Sequence, residues 1–119
     1  MQFRLTKLAT AVALIFSIAF SSTIFGATAE DVAEGKKIAF DRKLGNCLAC
    51  HVIAGGELPG NIGPPLIAMK ARFPDKSKLR SQIYDATRNN PRSAMPPFGR
   101  HGILTDKQID LVVEFIHSL

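Results

Sequence analysis

Cys47-Leu48-Ala49-Cys50-His51 decides how the rest of this chain is read. Two thiols a short helical turn apart, with an imidazole directly after the second, have the spacing at which thioethers form to both vinyl groups of one porphyrin while the histidine lies under the iron. The same residues also admit a dithiol redox motif, half of a zinc site, or a structural disulfide. A thioredoxin-like dithiol follows a strand in a βαβ pattern, and here no strand-like run precedes Cys47. A structural zinc needs four ligands; with two cysteines in the chain it would have to draw on the scattered His101 and His117. Attachment of one c-type haem through Cys47, Cys50 and His51 is the reading these residues support best.

The start of the chain reads as an export leader. Arg4 and Lys7 give a positive n-region, residues 8–20 are almost uninterruptedly apolar, and Ala27-Thr28-Ala29 offers the small-x-small pattern of a signal-peptidase site. The apolar run is shorter than the roughly 20 residues needed to cross a bilayer, and Ser21, Ser22 and Thr23 follow it. The expectation is therefore a signal peptide over residues 1–29, cleavage after Ala29, a periplasmic domain over residues 30–119, and no membrane anchor afterwards. Cleavage of 29 residues from 119 leaves 90, and losing the two leader cations lowers the net charge from +5 to +3. So small a surplus gives no argument for nucleic acid as a partner. A domain this short buries only roughly 60% of its unfolded surface and needs a staple, which a bonded porphyrin supplies. Both thiols are then consumed, leaving none for a disulfide in an oxidising compartment.

The periodicities predict an all-α domain of three to four short helices. Residues 30–41 open with acids and carry Val32, Gly35, Ile38, Ala39 and Phe40 at amphipathic spacing. Gly35 costs stability inside a helix, and a close crossing with another helix explains it. Residues 78–88 place Leu79, Ile83 and Ala86 on one face before Asn89-Asn90-Pro91 ends the run. Thr105 with Gln108 makes a capping box ahead of Ile109, Val112, Val113 and Ile116, so the C-terminal helix should pack on the first helix and the haem. Between them Gly55-Gly56, Pro59-Gly60, Gly63-Pro64-Pro65 and Pro96-Pro97 exclude sheet and long helix.

Iron in a porphyrin has a second axial position, for which Met69, Met95, His101 and His117 are the candidates. Met95 is preferred because Pro96-Pro97 stiffen the loop that aims its sulfur. Met69 reads as a packed core methionine, His117 as a solvated histidine near a helix C-terminus, and His101 as a surface loop residue. Metal ligation is thus assigned to His51 and Met95, with no catalytic residue. Pro64, which has a carbonyl but no N–H, is placed to accept from the His51 ring.

The leader, Cys-x-x-Cys-His, a Gly-Pro-x-Leu loop and a Met-Pro loop before a C-terminal helix together resemble a small monohaem cytochrome of the cytochrome c class. In that resemblance Cys47 and Cys50 match the thioether cysteines, His51 and Met95 the axial ligands, Pro64 the carbonyl partner and Gly35 the crossing glycine. The spacer Lys43-Leu44-Gly45-Asn46 is longer than usual, and Ala39, with Phe40 beside it, stands where an aromatic residue is usual. The segments Gly45–His51, Gly55–Leu66 and Met95–His101 closely resemble the SoxX family of sulfur-oxidation cytochrome subunits. That likeness implies a SoxA-like cytochrome partner in a heterodimer of L-cysteine S-thiosulfotransferase type, which couples thiosulfate to a carrier-protein cysteine while electrons leave through the haems to an acceptor cytochrome. Without a third cysteine this chain would be the redox subunit. The alternative is a free-standing periplasmic electron carrier, and a third reading is a haem sensor with an open iron position. Lys70, Arg72, Lys76, Lys78 and Arg80 form a basic cluster that either docks an acidic partner or is a solvated face. Phe73 and Phe98 read as core or haem-packing residues.

Overall fold

The computed structural model describes residues 26–119. The predicted leader lies outside the described residues except for its end, residues 26–29. Four α-helices and two 3₁₀ turns make up the regular structure, and no strand occurs among the described residues.

Helix α1, Ala29–Phe40, begins where Thr28 and Asp31 cap each other reciprocally, with Glu30 and Asp31 in the first turn. Thr28 lies on the leader side of the predicted cleavage point, so the helix of a cleaved chain begins at Glu30 without that cap. Helix α4, Asp106–His117, is capped by the Thr105–Gln108 box read from the sequence. It buries Ile109, Val112, Val113, Phe115 and Ile116 on one face. Replacing Thr105 by alanine removes the acceptor for the Gln108 N–H and is expected to cost about 1 kcal/mol. A thermal melt reads this loss, and an unchanged midpoint would show that the box contributes nothing.

Helices α1 and α4 cross closely. A Cβ on buried Gly35 would fall inside contact distance of the Leu111 carbonyl, so only glycine lets the two backbones approach. One turn on, Phe40 meets Phe115 edge to face, with centroids 5.8 Å apart and planes at 84°. Phe40, rather than Ala39, therefore supplies the aromatic contact, while Ala39 is wholly buried. The long spacer folds back on α1: Leu44 and Asn46 N–H groups donate to the Asp41 carbonyl and that of Gly45 to Ile38.

The predicted helix over residues 78–88 is two elements. Helix α3, Lys76–Tyr84, starts earlier because Asp75 caps it by accepting from the Ser77 N–H, and it ends at Asp85. A 3₁₀ turn, Ala86–Arg88, then begins with the Asp85 carboxylate as its cap. The short α2, Met69–Arg72, was not legible in the periodicity; Ala68 enters it in the left-handed region at φ 50°. No helix among the described residues is long and apolar enough to cross a membrane.

Candidate functional site

Cys47–Ala49 form a 3₁₀ turn, and the N–H groups of Cys50 and His51 both donate to the Cys47 carbonyl at 3.2 and 2.9 Å. One turn of backbone thus carries both thiols and the imidazole. The Gly/Pro loop that follows is laced to this turn: the Gly60, Gly63 and Leu66 N–H groups donate to the Leu48, Cys50 and Val52 carbonyls. Gly63 lies so flat against the imidazole that a Cβ there would collide with the ring. That approach puts the Pro64 carbonyl 2.7 Å from His51 Nδ1. A carbonyl can only accept, so Nδ1 is the donor here, and Nε2 is the ring nitrogen turned to other partners.

The pentapeptide forms one wall of a cavity of about 700 Å³. Cys47, Cys50, His51, Pro64 and Met95, the predicted site residues, all line it. The Met95 N–H donates to Ser93 Oγ at 3.2 Å, and Pro96 also borders the space. Val112 and Ile116 of α4, Leu79 and Ile83 of α3, and Phe73 and Phe98 complete an apolar lining. Met69 is 1% exposed, belongs to the core cluster, and lines the same cavity as Met95 does.

Charge in the lining is of one sign. Arg42, Arg72 and Arg92 border the cavity and no carboxylate does. The arginines at 80, 88 and 100 each face an aspartate, whereas these three pair with no carboxylate among the described residues. The nearest partners found for Arg72 are the Pro65 carbonyl at 2.9 Å and Met69 Sδ at 3.3 Å. An apolar slot of this size, with two thiols and an imidazole on one wall, a thioether among its lining and arginines at its edge, fits a haem whose propionates need cationic partners. Sequence reasoning put Arg72 in a docking cluster and did not single out Arg42 and Arg92, because the residues that gather these three are far apart in the chain.

Electrostatics separate the competing readings of the thiols. Burial pushes the Cys47 thiol up to about 11, opposite to the depressed value that arms a redox dithiol. His101 is exposed and outside the cavity lining. His117 corrects an expectation: it is half-buried rather than solvated, and its Nε2 donates to the Phe73 carbonyl at 3.1 Å. Neither stands with the cysteines as a zinc ligand. The basic cluster is also less available than its sequence suggests. Arg72 is tied to the Pro65 carbonyl, Lys76 to Glu114, and Arg80 to Asp106 and Asp110, leaving Lys70 and Lys78 as the members without such ties among the described residues.

The Cytochrome c family model matches residues 32–119. An "Uncharacterized lipoprotein" of Aquifex aeolicus (strain VF5) is 38% identical over 81 residues, which cover 64% of this chain and 37% of that protein. This chain therefore spans little more than a third of that relative's length. A chain in the crystal structure of SoxXA from P. pantotrophus superimposes with a TM-score of 0.65 at 31% identity, covering 72% of this chain and 79% of that one. The likeness agrees with the SoxX resemblance read from the three motif segments. With the family match spanning nearly all of the described residues and the cavity furnished for the group, this chain belongs to the cytochrome c family and carries a covalently bound haem c.

Proposed function

We propose that the chain is the electron-transfer subunit of a SoxAX-type complex, a periplasmic heterodimer with a SoxA-like cytochrome that couples thiosulfate to a carrier-protein cysteine. The observation that carries this is the convergence of Cys47, Cys50, His51, Pro64 and Met95 on one cavity, in a chain with the fold of a SoxXA chain. When bound, the haem supplies reversible one-electron chemistry at its iron. Cys47 and Cys50 hold it by thioethers, His51 offers Nε2, and the Pro64 carbonyl fixes that ring by accepting from Nδ1. Met95 would offer a thioether, Arg42, Arg72 and Arg92 would answer the propionates, and the apolar lining would limit water around the group. Both cysteines of the chain are engaged in the attachment, so no thiol is left to carry sulfur and that chemistry falls to the partner.

Affinity purification of the tagged chain from periplasm tests the assignment. Co-purification with a second c-type cytochrome, and reduction of this haem by thiosulfate only when that partner and a carrier protein are present, is the expected result. A chain that purifies alone and is reduced equally well without them contradicts it. That outcome favours the free-standing carrier, a reading supported by the internal ties of Arg72, Lys76 and Arg80.

The ligand assignment makes a separate prediction. Met95→Ala is expected to lower the reduction potential and open the iron to carbon monoxide, because a thioether stabilises ferrous iron and closes the sixth position. Met69→Ala should instead cost about 2–5 kcal/mol of stability and leave the axial ligands in place. Potentiometry and carbon monoxide titration of both variants decide it, and the reverse pattern transfers the ligand to Met69.

A further inference from the structure

Met95 lies in a stretch, residues 89–105, that contains neither helix nor strand. A sulfur on such a segment is held only as well as the ends of the segment are held. Both ends converge on one side chain. Asp85 is the buried charged residue among those described, 3% exposed, at the break between α3 and the 3₁₀ turn. Its Oδ1 accepts from the backbone N–H and the hydroxyl of Thr87. Its Oδ2 faces Arg100 Nε at 3.2 Å and Arg88 Nε at 4.0 Å. Arg88 closes the chain before the segment, and Arg100 follows Met95 by five positions.

Beside this carboxylate the Tyr84 carbonyl accepts from the N–H groups of Gly99 and Arg100, at 3.0 and 3.3 Å. Gly99 lies against the Tyr84 ring so closely that a Cβ would collide with it. Phe98, next in line, is 7% exposed and lines the haem cavity. The strap from α3 to residues 98–100 is therefore continuous with the wall that carries Met95. Hydrogen bonding from Thr87 is the largest influence holding the Asp85 carboxyl below its ordinary range, against its burial, and Arg100 and Arg88 add to it.

We propose that Asp85 is the positioning residue for Met95, its charge binding Arg88 and Arg100 so that the two stems of the ligand loop stay together. This rests on the reading that Met95 is the axial thioether. Loss of the charge leaves Arg100 without its carboxylate partner, so the stem after Met95 is held to the α3 end only through the Tyr84 carbonyl. Arg100 is about half exposed and can return to water, so the release loosens the loop without unfolding the helices.

The test uses the full haem-bearing protein with Asp85→Asn, in which the amide oxygen still accepts from Thr87 but no longer pairs with Arg100. Asp75→Ala, which removes the cap of α3, is the control for a purely structural loss. Asp85→Asn is expected to lose most of the methionine-to-iron charge-transfer band, to bind carbon monoxide when reduced, and to exchange the Gly99 and Arg100 amide protons faster. Asp75→Ala should lower the melting temperature and keep the band, and Arg100→Lys should restore part of what Arg100→Gln loses. If Asp85→Asn does not accumulate, Arg100→Gln, altered at an exposed position, carries the same test. A band that survives both changes undiminished, with no carbon monoxide uptake, overturns the inference alone. Absence of the band from the unsubstituted protein overturns the ligation reading and the inference together.

Discussion

Cys47→Ser combined with Cys50→Ser is expected to leave a polypeptide that retains no haem through denaturing electrophoresis and does not accumulate in folded form. The physical reason is the size of the space that the group fills. A closed dry void costs about 24 cal/mol per Å³, which for a cavity of about 700 Å³ is on the order of 17 kcal/mol. A cleft that admits water costs less than this bound, but a whole domain is stable by only roughly 5–15 kcal/mol, so a fraction of it matters. The core residues that also line the cleft, and would lose the group they face, come from several elements: Val112 and Ile116 on α4, Leu79 and Ile83 on α3, and Phe98 on the loop after Met95. Haem staining and circular dichroism of the double variant read the two halves of the prediction. A colourless protein with native helicity and a sharp melt would falsify the claim that the bonded group holds the fold.

Gly35→Ala is the second large effect, and its sign is diagnostic. In an open helix the change would stabilise by about 1 kcal/mol, since alanine is the better helix former. Here the added methyl meets the Leu111 carbonyl and backbone carbon across the α1–α4 crossing, and backbone cannot step aside as a side chain can. Overpacking of this kind costs about 1–3 kcal/mol and sometimes more. At the upper end of that cost the net loss is about 2 kcal/mol, which lowers the melting temperature of a domain this size by roughly 8–16 °C. The Phe40–Phe115 contact one turn away should loosen as the helices part. A melting temperature equal to or above that of the unsubstituted protein would show that the crossing is not close.

The features legible in the sequence are those whose chemistry demands fixed local spacing. Thioether attachment needs two cysteines three positions apart with a histidine next, so the pentapeptide announced its cofactor without any knowledge of the fold. The Thr105 box and the apolar stripe of α4 were equally local, as was the packing glycine of α1. What escaped was much of what only folding brings together, although the Pro64 carbonyl on His51 and the Gly35 crossing did not. The basic cluster looked like a docking face because its acidic partners, Glu114, Asp106 and Asp110, lie 38, 26 and 30 residues away on α4. His117 looked solvated for the same reason, since the carbonyl it meets belongs to Phe73. The role of Asp85 was invisible because it falls inside a helix-like pattern that its own carboxylate interrupts. Four-residue α2 has too few positions to display a period.

The arginines illustrate the same division at the site itself. Their number and positions are plain in the sequence, but which of them face carboxylates and which border the cavity depends on how α3, α4 and the loops pack. That sorting lines the cleft with arginines and, among the described residues, with no carboxylate.

Near-infrared magnetic circular dichroism of the oxidised, unsubstituted protein identifies both axial ligands of the haem iron in one spectrum. The account predicts a low-spin iron between one histidine and one methionine, with the methionine signature absent after Met95→Ala and intact after Met69→Ala. Two histidines, or an iron with no sixth protein ligand, would contradict it.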